Sequence, residues 1–193
     1  MLSYLAAALP ANTSAAARLL ALQCALRMNA TMRVRLARGL LRSLRLDSPG
    51  PWRELEQARW LRPRSTGSVN EVGVELLDVT VLDQAPARPD RTQAADWALR
   101  VASPAAAQGS ADPLLQLTAL YLTAHTDPGT GTGRTDLDQM ARACGTLPEQ
   151  LPGLLGQLIA KALLASWQAC WDTEELTWDL RTRSSRSPSG GQG

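Results

Sequence analysis

The chain has 193 residues, of which 45% are apolar and 20% are charged, and its formal net charge is only +2. These values are ordinary for a soluble globular protein of one or two domains. No apolar run approaches the ~20 residues that a transmembrane helix needs. The first nine residues are apolar but no basic segment precedes them, so we expect no signal peptide and a cytoplasmic protein.

The sequence offers no group of residues typical of a catalytic or metal site. Its only histidine, His125, has no cysteine at ligand spacing, and Cys24, Cys144 and Cys170 are not spaced as metal ligands. We expect all three cysteines to be reduced and buried. The Gly/Thr segment 129–134 lacks the Gly-Lys-Ser/Thr ending of a phosphate-binding loop, which favours a flexible loop. We therefore expect no enzyme activity, no cofactor and no bound metal.

In chain order, the first well-supported element is a helix that Thr13 or Ser14 can cap and that continues to about Met28. A second helix is predicted from Arg33 to Leu46, because its leucines and arginines fall on opposite faces of a helical wheel. The arginines that share one arc of that wheel are Arg35, Arg38, Arg42 and Arg45. The predicted helix presents these four guanidinium groups to solvent.

Two prolines and a glycine in 47–51 break this helix. Ser48 followed by Pro49 predicts the start of a third helix, which ends on the bulky apolar pair Trp60-Leu61. A loop follows the pair, and β-branched residues in 69–82 then predict one or two strands.

Residues 83–112 contain several prolines and an alanine run, and they are predicted to form a linker. Within it, 94–101 is a candidate short helix that packs against a domain. The basic, low-complexity tail 181–193 is expected to be disordered.

The second half repeats the order of the first. Asp112 and Pro113 are a good helix start, and Asp136 caps the next helix, which ends at Gly145. A third helix is predicted over 148–164, ending on the pair Leu163-Leu164. Two short strands are predicted within 167–180.

Residues 14–80 and 113–180 thus each read as three helices followed by a β-prone segment, and Trp60-Leu61 aligns with Leu163-Leu164, which indicates a duplicated unit. This order resembles that of winged helix-turn-helix DNA-binding proteins. The second half also matches their skeleton of apolar residues, a small residue and a turn glycine, here Gly145. The resemblance implies a mainly α fold with small β wings, built as tandem winged helix-turn-helix modules. The expected division is an N-terminal module (1–82), a linker (83–112), a C-terminal module (113–180) and a tail (181–193).

The charges are divided unequally between the halves. Eleven arginines and three acids lie from Arg18 to Arg64, whereas six basic and fifteen acidic residues lie from Ser65 to Leu180. Guanidinium groups bind phosphates bidentately, and phosphate contacts dominate affinity for DNA. The N-terminal module is therefore predicted to bind DNA, and its third helix would read bases. The predicted DNA-binding residues are Arg35, Arg38, Arg42, Arg45, Arg53, Gln57, Arg59, Arg62 and Arg64. The alternative interpretation is a solvated arginine face.

The acidic C-terminal module suits a second DNA contact poorly, and its third helix carries few long polar side chains. This favours pairing of two subunits or a partner protein on that module, with packing inside the chain as the alternative. We thus expect a regulator of transcription that binds double-stranded DNA as a homodimer. Two other functions stay open: a protein-interaction scaffold built from tandem winged helices, and a plasmid replication or partition protein.

Overall fold

The computed structural model describes residues 1–107 and 112–181, without the side chains of 88–89 and 102–107. It combines α-helices with two small three-stranded antiparallel sheets. One order of elements, helix, strand, helix, helix, strand, strand, occurs twice. The first set is α2 (Ala15–Arg27), β1 (Arg33–Ala37), α3 (Arg38–Ser43), α4 (Pro49–Gln57), β2 (Leu61–Arg64) and β3 (Glu71–Leu76). The second is α7 (Pro113–Ala124), β4 (Thr132–Asp136), α8 (Leu137–Cys144), α9 (Leu151–Ala160), β5 (Leu164–Cys170) and β6 (Glu175–Leu180). The other helices are α1 (Leu2–Ala8), α5 (Val81–Gln84) and α6 (Arg88–Ala107), and a 3-10 turn, Pro148–Gln150, precedes α9.

The predicted helix from Arg33 to Leu46 is wrong in its first part, because residues 33–37 form strand β1. Val34 and Leu36 are buried while Arg33 and Arg35 are exposed, which is the period of two that a half-buried strand requires. Strand β1 pairs with the central strand β3, and β3 pairs with β2 on its other side. Only α3 remains of the predicted helix.

The helix starts agree with the capping residues in the sequence. The Ser14 hydroxyl accepts a hydrogen bond from the Ala17 N–H (3.2 Å), and the Asp112 and Asp136 carboxylates cap α7 and α8 in the same way. Ser14 is itself held by Glu54 of α4, whose carboxylate accepts from the Ser14 N–H and hydroxyl, both at 2.8 Å. This contact joins the first helix of the repeat to the third.

The four helices α3, α4, α8 and α9 end in the same way. In each, an N–H donates to the carbonyl five residues earlier, and a residue in the left-handed region precedes that N–H. The left-handed residues are Arg45, Arg59, Gly145 and Ala162. The third helices are therefore shorter than predicted and end at Gln57 and Ala160. In the pairs Trp60-Leu61 and Leu163-Leu164, the first residue ends the turn and the second begins the next strand, β2 or β5.

Three further segments differ from the predictions. The Gly/Thr segment is not a loop throughout, because β4 covers 132–136. The β-prone segment 69–82 contains one strand, β3, and then the short helix α5. The candidate helix 94–101 is part of the longer α6, which continues past Pro104 and buries Ala95 and Ala98. The predicted disordered tail lies outside the described residues from 182 onward.

The two repeats pack against one another. Helix α6 contacts α2 and α7, α2 also contacts α7, and α1 lies against α8. Leu120 of α7 belongs to the apolar core of the first repeat, and Leu2 and Val101 touch the cores of both. Two of the cysteines, Cys24 and Cys144, are buried as predicted, whereas Cys170 is exposed.

A buried arginine lies where α1, α2 and α8 meet. Arg18 is 2% exposed, and its guanidinium donates to the carbonyls of Thr13 (3.1 Å), Leu5 (3.4 Å) and Pro10 (3.0 Å). Its side chain also lies against Gly145 at the end of α8. Burial lowers the pKa of Arg18. Because carbonyl oxygens satisfy its donors, this cation holds three helix ends together.

Candidate nucleic-acid interface

All nine predicted DNA-binding residues have exposed side chains, but they do not form the predicted stripe on one helix. Arg35 lies on β1, Arg38 and Arg42 on α3, and Arg45 in the left-handed turn after α3. The helical wheel was misleading because the chain changes from strand to helix between Arg35 and Arg38. The nine residues therefore form several groups, which differ in their contacts.

The first group lines a cleft between α3, α4 and the inner face of the first sheet. Arg38, Arg42 and Arg53 border this cleft, which has a volume of ≈ 480 Å³. Its floor includes Leu41, Val72 and Val74. Asp47 and Glu56 also line it, so the three guanidinium groups are partly balanced by two carboxylates. Three arginines from two helices converging on one concave surface can contact a polyanion together.

Trp52 borders the same cleft but is tied to the protein. Its indole N–H donates to the Leu46 carbonyl at 2.9 Å, and its ring packs on the core of the first repeat. Trp60 is 3% exposed. The contacts of Trp52 and the burial of Trp60 agree with the prediction that these tryptophans belong to the core instead of stacking on bases.

Arg38 connects α3 to the loop between β2 and β3. Its backbone N–H donates to the Asn70 carbonyl (2.9 Å), and its Nε donates to the Val69 carbonyl (2.9 Å). The Val69 side chain at this loop is 84% exposed. Arg38 therefore fixes the position of the loop beside the cleft, and its terminal nitrogens project from an exposed side chain.

The second group lies on the outer face of the first sheet. Arg62 and Arg64 both bind the Glu75 carboxylate, with N–O distances of 2.9 and 3.1 Å. The hydrogen bond from Arg62 is the main cause that lowers the pKa of Glu75, and the charges of Arg62, Arg64 and Arg33 act in the same direction. Arg33 stands opposite Glu75 in the β1–β3 register. Arg33 is not among the predicted DNA-binding residues, because it lies off the helical arc. Its alternation with the apolar Val34 is the signal that could have placed it on the exposed face of a strand.

The remaining residues are more isolated. Arg45 and Arg59 each occupy a left-handed turn after a helix. Gln57, one helical turn after Arg53, also borders a depression formed with Asn12 and Thr13. Arg35 lines a separate pocket that does not include α3 or α4.

The second repeat presents a different surface at the positions that match α4. The exposed residues of α9 carry no charge; they are Gly153, Gly156, Gln157, Ile159 and Ala160. Elsewhere in this repeat, Leu147 is 62% exposed and Trp171 is 53% exposed. An uncharged helix face is poorly suited to phosphate contact and is typical of protein contacts.

His125 packs against the end of α7 through contacts with Tyr121. Its ring stacks on Tyr121 with a centroid distance of 4.1 Å, and its Nδ1 lies 2.8 Å from the Tyr121 carbonyl oxygen. Across residues 1–107 and 112–181, no group of three or more His, Cys, Asp and Glu side chains is arranged to hold a metal ion. In the same residues no helix has the length and apolarity to cross a membrane.

No family model, curated protein or solved structure matches this chain.

Proposed function

We propose that the two repeats are winged helix-turn-helix modules in tandem and that the N-terminal module binds duplex DNA. The observation that carries this proposal is the convergence of Arg38, Arg42 and Arg53 on one cleft beside the β2–β3 loop. In this class of module the second helix of the pair enters the major groove, and the preceding helix contacts the backbone. Here α4 would enter the groove, and α3 would bring Arg38 and Arg42 to phosphates.

The polar side chains exposed on α4 would contact base edges. Arg53 can donate two hydrogen bonds to guanine, and Gln57 can make a bidentate contact with adenine. Arg59 lies just beyond α4 and would contact the backbone next to them. Arg62 and Arg64 would contribute less to affinity, because Glu75 already neutralises part of their charge.

The C-terminal module would pair two subunits through the uncharged outer face of α9. A two-fold dimer would present two copies of α4 to half-sites about 10–10.5 base pairs apart, or a multiple of that spacing. Such a dimer would suit a sequence-specific regulator of transcription, which is the function that we propose. Light scattering of the purified chain tests it: we expect a dimer, and we expect Ile159→Glu to give a monomer. A monomeric wild-type chain would contradict this part of the proposal.

The decisive experiment measures duplex affinity by fluorescence anisotropy at several salt concentrations. Each phosphate contact contributes about −0.9 to the slope of log K against log salt. We expect Arg42→Ala to reduce the magnitude of the slope by about one and to weaken binding, because its charge lines the cleft. Arg134→Ala is the matched control, because Arg134 is also exposed but lies on β4 of the acidic repeat. Equal slopes for wild type and Arg42→Ala would refute DNA contact through the cleft.

A protein-interaction scaffold is the second candidate. The observation that favours it is the uncharged face of α9 together with the exposed Leu147 and Trp171. A scaffold would show no salt-dependent DNA binding by the N-terminal module, so the same titration separates the two functions.

A further inference from the structure

A second arginine cluster lies between the end of α2, strand β1 and the beginning of α6. Arg27, Arg35 and Arg91, one from each element, line a polar pocket of ≈ 260 Å³ together with Asn29. None of the described residues that line the pocket is acidic. The volume is below the ~300–1,000 Å³ that holds a drug-sized ligand, so the pocket suits a small group.

Arg91 is the strongest feature of this pocket. It is only 8% exposed, and its Nε is buried without a hydrogen-bond partner among the described residues. Within those residues no carboxylate lies at ion-pair distance from Arg91 or Arg35. Burying a guanidinium is costly unless its charge and donors are satisfied. Arg18, which is also buried, has three carbonyl partners, and this contrast makes the unpartnered Nε of Arg91 informative.

The surrounding groups add to a positive potential. Arg27 is held in place by Gln23, whose side-chain oxygen accepts from its Nε at 3.3 Å, and by a longer contact to Asp96 at 3.7 Å. Among the described residues, Asp96 is the one carboxylate at ion-pair distance from these three arginines, so about two positive charges remain. The first turn of α6 brings a partial positive charge, while the last turn of α2 brings a partial negative one. The helix dipoles therefore roughly cancel, and the arginines decide the sign.

The side chain of Asn29 completes the donor set. Its oxygen accepts from the N–H groups of Thr31 and Arg33, both at 2.9 Å, which fixes the plane of the amide. Its NH₂ group is then the part of the side chain that can donate to a ligand. The described lining residues thus offer guanidinium and amide donors and no carboxylate acceptor.

We propose that the pocket formed by Arg27, Asn29, Arg35 and Arg91 binds a phosphoryl group. Guanidinium groups match the planar, bidentate geometry of phosphate oxygens, and several of them share its charge. The phosphoryl group can belong to a small phosphorylated ligand or to a DNA backbone. In the first case the protein has an effector site separate from the cleft, and this case does not depend on DNA binding by α3 and α4.

The experiment is calorimetric titration of the full chain with pyrophosphate at constant ionic strength, with acetate as the control anion. We expect binding of pyrophosphate and none of acetate. Arg35→Ala and Arg91→Met should each weaken the affinity about tenfold, since one charge-assisted hydrogen bond is lost. Arg42→Ala, in the cleft, should leave pyrophosphate affinity unchanged.

Duplex affinity of the same variants identifies the source of the phosphoryl group. If Arg35→Ala and Arg91→Met weaken pyrophosphate binding and leave duplex affinity unchanged, the ligand is a small phosphorylated molecule. If both variants weaken duplex binding and duplex competes with pyrophosphate, the group belongs to DNA. Equal behaviour of wild type and both variants with both ligands would overturn the proposal. Arg35 is exposed, so Arg35→Ala keeps the test valid if Arg91→Met does not fold, and circular dichroism checks both.

Discussion

Replacing Gly145 by alanine should destabilise the whole chain, because a Cβ at this position meets a rigid, buried contact. Gly145 ends α8 with φ +70°, a conformation that costs a residue with a side chain about 1–2 kcal/mol. The added Cβ would lie 2.8 Å from the Thr13 carbonyl oxygen and 2.9 Å from Arg18 Nε. Relief of that contact requires movement of Arg18, which weakens a charged hydrogen bond worth about 1.5–3 kcal/mol. We therefore expect a loss of about 3 kcal/mol.

Urea denaturation measures this loss directly, with an accompanying fall in Tm of roughly 6–12 °C for a chain of this length. The matched control is Gly39→Ala in α3, which lies outside the proposed subunit contact on α9. A Cβ on Gly39 meets no atom within 4 Å, so this change should stabilise the helix by about 0.5–1 kcal/mol. If Gly145→Ala costs less than about 1 kcal/mol, or if both variants behave alike, the account of the Arg18 contact is wrong.

Three other predictions concern single positions. Arg45→Gly should raise the free energy of unfolding by about 1 kcal/mol, because Arg45 has φ 55° at the helix end; an unchanged urea midpoint would contradict this. With a thiol reagent at pH 8, Cys170 should react fast, because it is exposed and a hydrogen bond from Thr173 lowers its pKa. Cys24 and Cys144 should react only on unfolding, because both are buried and burial raises their pKa values to about 12. Three fast thiols would refute the described burial. The arginine contacts lower the pKa of Glu75 in the folded state. The contribution of Glu75 to stability should therefore be complete above pH 4.5 and disappear as the pH falls through the folded pKa. In urea titrations from pH 6 to pH 3, the stability of Glu75→Gln should depend less on pH than that of the wild type.

The sequence predicts most of what depends on a few neighbouring residues. Ser14, Asp112 and Asp136 cap helices where expected, and Gly145 ends α8, because each acts on backbone groups within a few residues. The strands β5 and β6 were also expected from their composition. The same local reasoning missed the equivalence of Arg45 to Gly145, because only the backbone shows that a non-glycine residue adopts the left-handed conformation there.

Features that depend on distant partners were predicted less well. Residues 33–46 carry two periods at once, and pairing of β1 with β3 selects the period of two over 33–37. Prolines in 83–112 indicated a linker, whereas packing against α2 and α7 supports the long helix α6. For the same reason no local pattern joins Arg27, Arg35 and Arg91, which come from three elements.

The exposure of Arg35, Arg38, Arg42 and Arg45 was correctly expected, since arginine rarely becomes buried. Their distribution was not. Arg35 separates from Arg38 because a strand side chain and a helix side chain project in different directions. Arg62 and Arg64 meet Glu75 only through the β2–β3 register, which a sequence alone does not fix.

The sharing of Leu120, Leu2 and Val101 between the two cores bears on how the molecule comes apart. Neither repeat can be produced alone with a complete apolar core, since each separate fragment would expose apolar surface to water. Heating should accordingly melt the two repeats in a single cooperative step, although their similar order of elements suggests two. The repeats thus depend on each other for folding, and each can change freely only on its outward surfaces.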